Sequence, residues 1–138
     1  MLGADATWPL QQGVLQHLKS DISLKAHLGD PPRLQDQNEK RKSYPCLVLG
    51  DTQARAWSSA TFDGQEHDLA FDLWTSGGGS AESKEIAGAV IDRLHNADFP
   101  VAGHALVDLQ FSNSETRYLP EKGVFQCRLR FKALTVSD

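Results

Sequence analysis

The sequence predicts an α+β fold with a mainly antiparallel sheet and helices packed on one face of that sheet. Residues 8–28 and 81–96 repeat apolar side chains at helical spacing, whereas residues 65–75, 104–112 and 125–133 alternate apolar and polar side chains as half-buried strands do. Helices come first, then strands, then one helix and a final pair of strands. This order is typical of helices layered on an antiparallel sheet.

The N-terminal helical segment is predicted to divide in two. Thr7 can cap the first helix, because its side chain can accept a hydrogen bond from a free amide of the first turn. Asp21 or Ser20 can start a short second helix, which Gly29 ends. The apolar stripe of the first helix consists of Leu10, Val14, Leu15 and Leu18.

The helix at residues 81–96 is the most clearly amphipathic segment. Ser80 is predicted to cap it, and Glu82 lies in the first turn, where the helix dipole favours an acid. Its apolar stripe consists of Ile86, Ala87, Val90, Ile91 and Leu94.

The strands are predicted to give the sheet one apolar and one polar face. Residues predicted to face the core are Leu69, Phe71, Leu73, Val107, Leu109, Phe111, Phe125, Cys127, Leu129, Phe131 and Ala133. Residues predicted to face away include Asp68, Asp72, Gln126, Arg128, Arg130 and Lys132. Because that second face is too polar to be another core, it is expected to meet water or another polar surface, with cross-strand ion pairs between its acids and bases.

The remaining segments are predicted to be short strands and connections. Residues 33–43 form a polar surface loop with a short strand at 33–36, and an apolar run at 46–50 continues as a strand toward Trp57. Residues 113–122 are expected to form a polar connection before the last strand.

Composition narrows the class of protein. A chain of 138 residues fits one domain, residues 1–138, and its formal charge of −4 argues against a surface built to attract DNA. Cys46 and Cys127 are expected to be buried free thiols in a reducing cytoplasm. The N-terminus is not expected to be a signal peptide, and no apolar run approaches the ~20 residues of a membrane helix.

No pattern of residues indicates catalysis, a cofactor or a metal. The glycine run at residues 77–79 precedes a helix, but Lys84 is not in a P-loop context. None of the five histidines has a zinc-site spacing, and His67 is expected to flank a strand edge. Asp68 and Asp72 would lie ~13 Å apart along a strand, too far to share a proton. We therefore expect a protein without an active site.

Aromatic and basic side chains are the best candidates for contacts with other proteins, because Trp, Tyr and Arg are enriched at binding hot spots. The alternative is that Trp57 covers a core edge and the basic run is a solvated loop. The candidate interface residues are Lys40, Arg41, Lys42, Trp57, Arg117, Tyr118, Arg128 and Arg130.

Residues 44–133 resemble a known family in an ordered set of short motifs. These are Tyr44-Pro45, Gly50-Asp51, Arg55-Ala56-Trp57-Ser58, Asp63-Gly64-Gln65-Glu66-His67, Leu73-Trp74-Thr75-Ser76, Asp92-Arg93-Leu94-His95, Ala102-Gly103-His104-Ala105-Leu106-Val107 and Leu129-Arg130-Phe131-Lys132-Ala133. The chain resembles the small tail-completion or tail-terminator proteins of long-tailed phages and of phage-derived gene transfer agents. The glycine run at residues 77–79 is a departure from that pattern.

The resemblance implies a structural virion protein. It implies a ring, usually of six copies, that caps the tail tube, ends its polymerisation and joins it to the head-side neck. The implied partners are further copies of the chain, the tail tube protein and a neck protein, with DNA only passing through the lumen. It also implies a place at the tail–neck junction of a particle assembled in the bacterial cytoplasm, and no catalytic residues.

Two other functions stay open on the sequence. A neck connector or stopper would bind the portal side instead of the tube. A small hydrolase or ligand-binding enzyme would need a deep pocket with converging polar groups.

Overall fold

The structure is a computed structural model that describes residues 5–36, 43–77 and 79–138. Its elements follow the predicted order. They are α1 (Thr7–Lys19), α2 (Ile22–Leu28), β1 (Leu34–Asp36), β2 (Cys46–Ala56), β3 (Gly64–Ser76), α3 (Gly79–Leu94), β4 (His104–Leu119) and β5 (Val124–Ser137).

The strands form one sheet in the order β1-β2-β3-β5-β4. The short β1 runs parallel to β2, and the other three pairings are antiparallel. The predicted α+β class with a mainly antiparallel sheet is therefore confirmed. The strand order places β3 and β5 inside the sheet, each with a strand on both sides.

The core lies between the helices and one face of the sheet. The stripes of α1 and α3 supply Leu10, Val14, Leu18, Ile86, Val90 and Leu94, and the sheet supplies Leu69, Phe71, Leu73, Leu109, Leu129, Phe131 and Ala133. The Phe131 ring packs edge-on against Phe71 and Phe111, with centroids 5.8 and 5.7 Å apart. Among the described helices, none is long and apolar enough to cross a membrane.

The helix caps differ in part from the prediction. Asp21 caps α2 by accepting a hydrogen bond from the Leu24 amide at 3.0 Å, as predicted. Thr7 does not cap α1, because the helix starts one residue earlier than expected, with Ala6 at the N-cap and the Thr7 hydroxyl donating to Asp5. Ser80 lies inside α3, which begins at Gly79, so it is not the N-cap either.

Strand β4 is longer and less regular than predicted. It continues to Leu119, so most of the expected connection at residues 113–122 is strand. Val107 is 52% exposed and does not face the core. The register with β5 shifts between Leu106 and Asp108, and this irregularity turns Val107 out of the alternation that the sequence suggested.

Candidate assembly interface

The sheet face opposite the helices is lined with charged and amide side chains. We call it the polar face and define it by Gln53, Arg55, Glu66, Asp68, Asp72, Glu115, Arg117, Gln126, Arg128, Arg130 and Lys132. The strand register places these residues beside one another on four adjacent strands. In the described part of the chain, no helix packs over this face, so its charges meet solvent or another molecule.

Asp72 is the centre of the most ordered cluster on the polar face. Arg128 lies directly opposite it on β5 and donates two hydrogen bonds to its carboxylate, both 2.9 Å long. Gln126 donates a third at 3.1 Å, and Arg117 on β4 donates to the Gln126 amide oxygen at 3.0 Å. The bonds to Asp72 raise the pKa of Arg128 above its ordinary value. The chain of bonds ties three strands together and fixes where Arg117 and Arg128 present their charge.

A second cluster lies where β2 meets β3. The Arg55 guanidinium donates to Asp68 at 2.9 Å and to Glu66 at 3.0 Å, and these bonds raise the pKa of Arg55. The Lys132 ammonium lies 3.8 Å from Glu66. The predicted cross-strand pairing is confirmed for Asp72 with Arg128, whereas Asp68 takes its partner from β2 instead of from the basic strand β5.

An open hollow of about 400 Å³ lies between the two clusters. It is lined by Asp51, Gln53, Asp68, Leu69, Ala70, Ser112, Arg128, Arg130, Phe131 and Lys132. Arg130 is exposed there and has no ion pair or side-chain hydrogen bond with any described residue. It is therefore the side chain of this face whose charge is most available to a partner.

The lining of the hollow contains no nucleophile paired with a histidine. Its lining has one hydroxyl, Ser112, and no histidine or cysteine that could activate it. Within residues 5–36, 43–77 and 79–138, no group of three His, Cys, Asp or Glu side chains could hold a metal ion. The arrangement can instead make ion pairs and hydrogen bonds over a broad surface.

The structure brings three of the predicted interface residues to the polar face and places Trp57 beside it. Trp57 follows β2 and lines a depression that includes Glu66 and Lys132, where its ring packs on Phe62 at 5.2 Å. Arg117, Arg128 and Arg130 lie on the same face.

The other predicted interface residues lie elsewhere. Tyr118 points to the helix side of the sheet, half exposed, with its ring 4.9 Å from that of Phe125. Both Tyr118 and Arg117 lie on a strand and not in a loop, because β4 is longer than predicted. Lys40, Arg41 and Lys42 fall outside the described residues.

Two features of the polar face were not assigned from the pattern of one strand. Arg55 was not singled out, although its alternation with Gln53 on a predicted strand is a usable signal. Gln126 was expected to face away from the core and does, yet it is only 6% exposed, because it lies between the Asp72 carboxylate and Arg117. A neighbour on another strand buries it, and a single strand's pattern does not contain that neighbour.

The two cysteines are buried thiols that form no disulfide, as predicted. Burial raises the pKa of the Cys127 thiol, which keeps it protonated and unreactive. Cys127 therefore belongs to the packing of the core.

His67 is buried on the central strand β3, and the expectation that it flanks a strand edge is wrong. It is 1% exposed, and its Nε2 lies 2.9 Å from the Thr135 hydroxyl on β5. Burial lowers its pKa, while Asp5 and Asp68 raise it and His104 lowers it further. Neutral His67 therefore fits the folded state better than the charged form.

We expect the stability of the protein to fall as the pH drops below about 6.5, the ordinary histidine pKa. His67 binds a proton more readily in the unfolded chain, so each step toward acid favours unfolding until the pH passes its lowered folded pKa. His67→Gln keeps a polar partner for Thr135 and should make the dependence of the melting temperature on pH between 7 and 5 shallower. An equally steep dependence in the variant would show that other groups cause it; burial also lowers the pKa of His17.

Comparison with known proteins identifies the family of the chain. A family model described as "Tail completion protein gp17" matches residues 12–136. The chain belongs to this tail completion family. Among solved structures, it is similar to a chain described as "Virion of native gene transfer agent (GTA) particle", with 26% identity, a TM-score of 0.86, and coverage of 98% of this chain and 100% of that chain. No curated protein matches.

Membership of the tail completion family bears on how the polar face is interpreted. The family resemblance stated from the ordered motifs is confirmed, and the role it supports is a structural one in completing a tail. A broad, uncovered surface of charged side chains is suited to contacts between proteins of an assembly, in which hydrogen-bonded and charged groups fix the register of the partners.

Proposed function

We propose that the protein forms a closed ring, of six copies, which caps the tail tube, stops further addition of tube subunits and joins the tail to the head-side neck. The membership of the tail completion family over residues 12–136 carries this proposal. The similarity to a chain of a gene transfer agent virion supports it, because that similarity extends over nearly the whole of both chains.

The protein would act by binding its neighbours in a fixed arrangement and would catalyse no reaction. A ring of copies joined head to tail closes when the rotation between neighbours adds up to a full turn. One side of the ring would bind the last ring of the tail tube and the other the neck protein, at the tail–neck junction of a particle assembled in the bacterial cytoplasm. The net charge of −4 would let DNA pass through the lumen without binding to its wall.

Particles that lack the protein test the proposal. Overlong tails, or tails that are not joined to heads, would support a terminator. Filled heads that leak their DNA, with tails of normal length, would contradict it and favour a stopper on the portal side.

The polar face is the surface that we propose to contact the neighbouring proteins. Arg130→Glu places an acid at the one cation of this face that has neither an ion pair nor a side-chain hydrogen bond with the described residues, so we expect about a tenfold or larger loss of joined particles. Thermal unfolding should be nearly unchanged, because the side chain is exposed. Arg128→Glu is less informative, since Arg128 also holds Asp72.

Lys84→Glu is the matched control. It makes the same change of charge at an exposed position of α3, on the helix side of the molecule. Normal particle numbers with Arg130→Glu, or an equal loss with Lys84→Glu, would show that the polar face is not a contact surface.

A further inference from the structure

Both edges of the sheet contain a stretch of strand whose outward backbone groups have no partner among the described residues. On one edge, β1 pairs with residues Leu47 to Leu49 of β2, and no other described residue lies beside residues 52–56 on that side. On the other edge, β4 has β5 on one side only. Unpaired strand edges bind other strands readily, because each exposed amide and carbonyl is a hydrogen-bonding group in register with the next.

The hydrogen bonds show which amides of β2 point outward. The Trp57 amide donates to the Gly64 carbonyl at 2.8 Å, so these two residues form a hydrogen-bonded pair between β2 and β3. Such pairs alternate along antiparallel strands, so Gln53 and Arg55 also bond to β3. The backbone groups of Thr52, Ala54 and Ala56 therefore point away from the sheet.

The same alternation orients β4. The Asp138 amide donates to the Gly103 carbonyl, so every second residue of β5 counted from Asp138 bonds to β4. In the register after both shifts, the partners of these residues include Asn113, Glu115 and Arg117. The outward residues of this stretch are therefore Ser114, Thr116 and Tyr118.

The first half of the β4 edge is partly covered within the chain. The Leu109 carbonyl accepts from the Asn96 amide at 2.8 Å, and the Phe111 amide donates to His95 Nδ1 at 3.0 Å. The residues that follow α3 thus cap the first half of β4. The second half of β4 has no such contact with the described residues.

The two open stretches match each other in length and chemistry, and their directions suit antiparallel pairing. Each offers three outward residues, and neither contains proline or lysine, which commonly protect strand edges. Strands β2 and β4 run in opposite directions, so a neighbouring copy with the same strand orientation would bring them together antiparallel.

One register pairs all three outward residues of both stretches. It sets Ala54 opposite Thr116, and it then sets Arg55 opposite Glu115 on the polar face, which are opposite charges. On the helix side, it brings Tyr118, which is 51% exposed, against Thr52. Pairing of the two strands in this register would therefore bury an aromatic ring that the isolated chain leaves in solvent.

We propose that copies of this protein join head to tail by antiparallel pairing of residues 52–56 of β2 with residues 114–118 of β4 of the next copy, so that the sheet continues across each subunit boundary. This inference rests on the proposed ring and names the contact that closes it. Pairing of β4 with a second β4 would also set Glu115 against Arg117, but it would end at a dimer and leave β2 open.

A disulfide placed across the joint tests this register. In it, Gln53 lies opposite Arg117 as a non-hydrogen-bonded pair, with Cα atoms about 4.5 Å apart, within the range that disulfides span. Oxidised rings of Gln53→Cys/Arg117→Cys should run on a non-reducing gel as a ladder of multimers that collapses on reduction. Cys46 and Cys127 are buried and should not contribute.

Gln53→Cys/Gln110→Cys is the matched control. It places the second thiol on the same strand, seven residues or about 23 Å away, in the half of β4 that α3 covers. Rings seen by light scattering without a ladder would overturn the joint and leave the ring intact. Single molecules without rings would overturn the joint and the proposed ring together, and dimers alone or a ladder in the control would overturn the stated register.

A proline at Ala54 supplies a second test that needs no cross-link. Its amide points outward, so Ala54→Pro removes a hydrogen bond to the next copy and none to β3. We expect a folded protein that forms no rings, whereas rings of normal size would contradict the proposal.

Discussion

Replacing Asp72 with leucine should lower the free energy of unfolding by about 2–4 kcal/mol. The Asp72 side chain is 10% exposed and accepts three hydrogen bonds, two from Arg128 and one from Gln126. Without the carboxylate, a partly buried guanidinium and a buried amide lose their acceptor and cannot be fully hydrated. Thermal or urea unfolding of the purified protein measures the loss.

A double variant shows how much of this loss comes from leaving the Arg128 charge without its partner. Asp72→Leu/Arg128→Met removes both charges and should be more stable than Asp72→Leu alone, because no charge then stays buried without a partner. Asp68→Leu provides a control on the same strand and face, and its side chain is 37% exposed, so its loss should be much smaller. Equal losses for Asp72→Leu and Asp68→Leu would mean that the Asp72 cluster does not organise the polar face.

Replacing Phe131 with alanine should cost about 3–5 kcal/mol, a large part of the stability of a domain of this size. Phe131 is 1% exposed on the central strand β5, and its ring contacts those of Phe71 and Phe111. The cavity left by the ring would lie between two strands and α3, where neighbours can move little. We expect a lowered midpoint of urea unfolding, or failure to accumulate folded protein.

Two further variants provide comparisons for this loss of stability. Phe131→Leu keeps most of the volume and should cost about 1 kcal/mol. Phe62→Ala removes the same ring at a position that is 37% exposed, and should change stability by less than about 0.5 kcal/mol. If Phe131→Ala were no more harmful than Phe62→Ala, the packing of the three rings would not be as the structure describes.

The sequence by itself determined the elements whose pattern is local. The alternation in β3 and β5 assigns Phe71, Leu73, Leu129 and Phe131 to the core, and the helical stripe from Ile86 to Leu94 assigns the buried side of α3. These predictions held because the period of a strand or helix fixes which side chains share a face. The ordered motifs also indicated the family, which the match over residues 12–136 confirms.

Only the tertiary structure decided what depends on neighbouring strands. The irregularity at Val107 breaks the alternation of β4, and pairing with β5 extends that strand through residues 113–119, whose composition alone favours a loop. Gln126 is buried by partners from two other strands, and His67 by the fold around a central strand. The open edges of β2 and β4, like the hydrogen bonds that orient them, exist only once the sheet order is fixed, because each depends on which strand is absent from a given side.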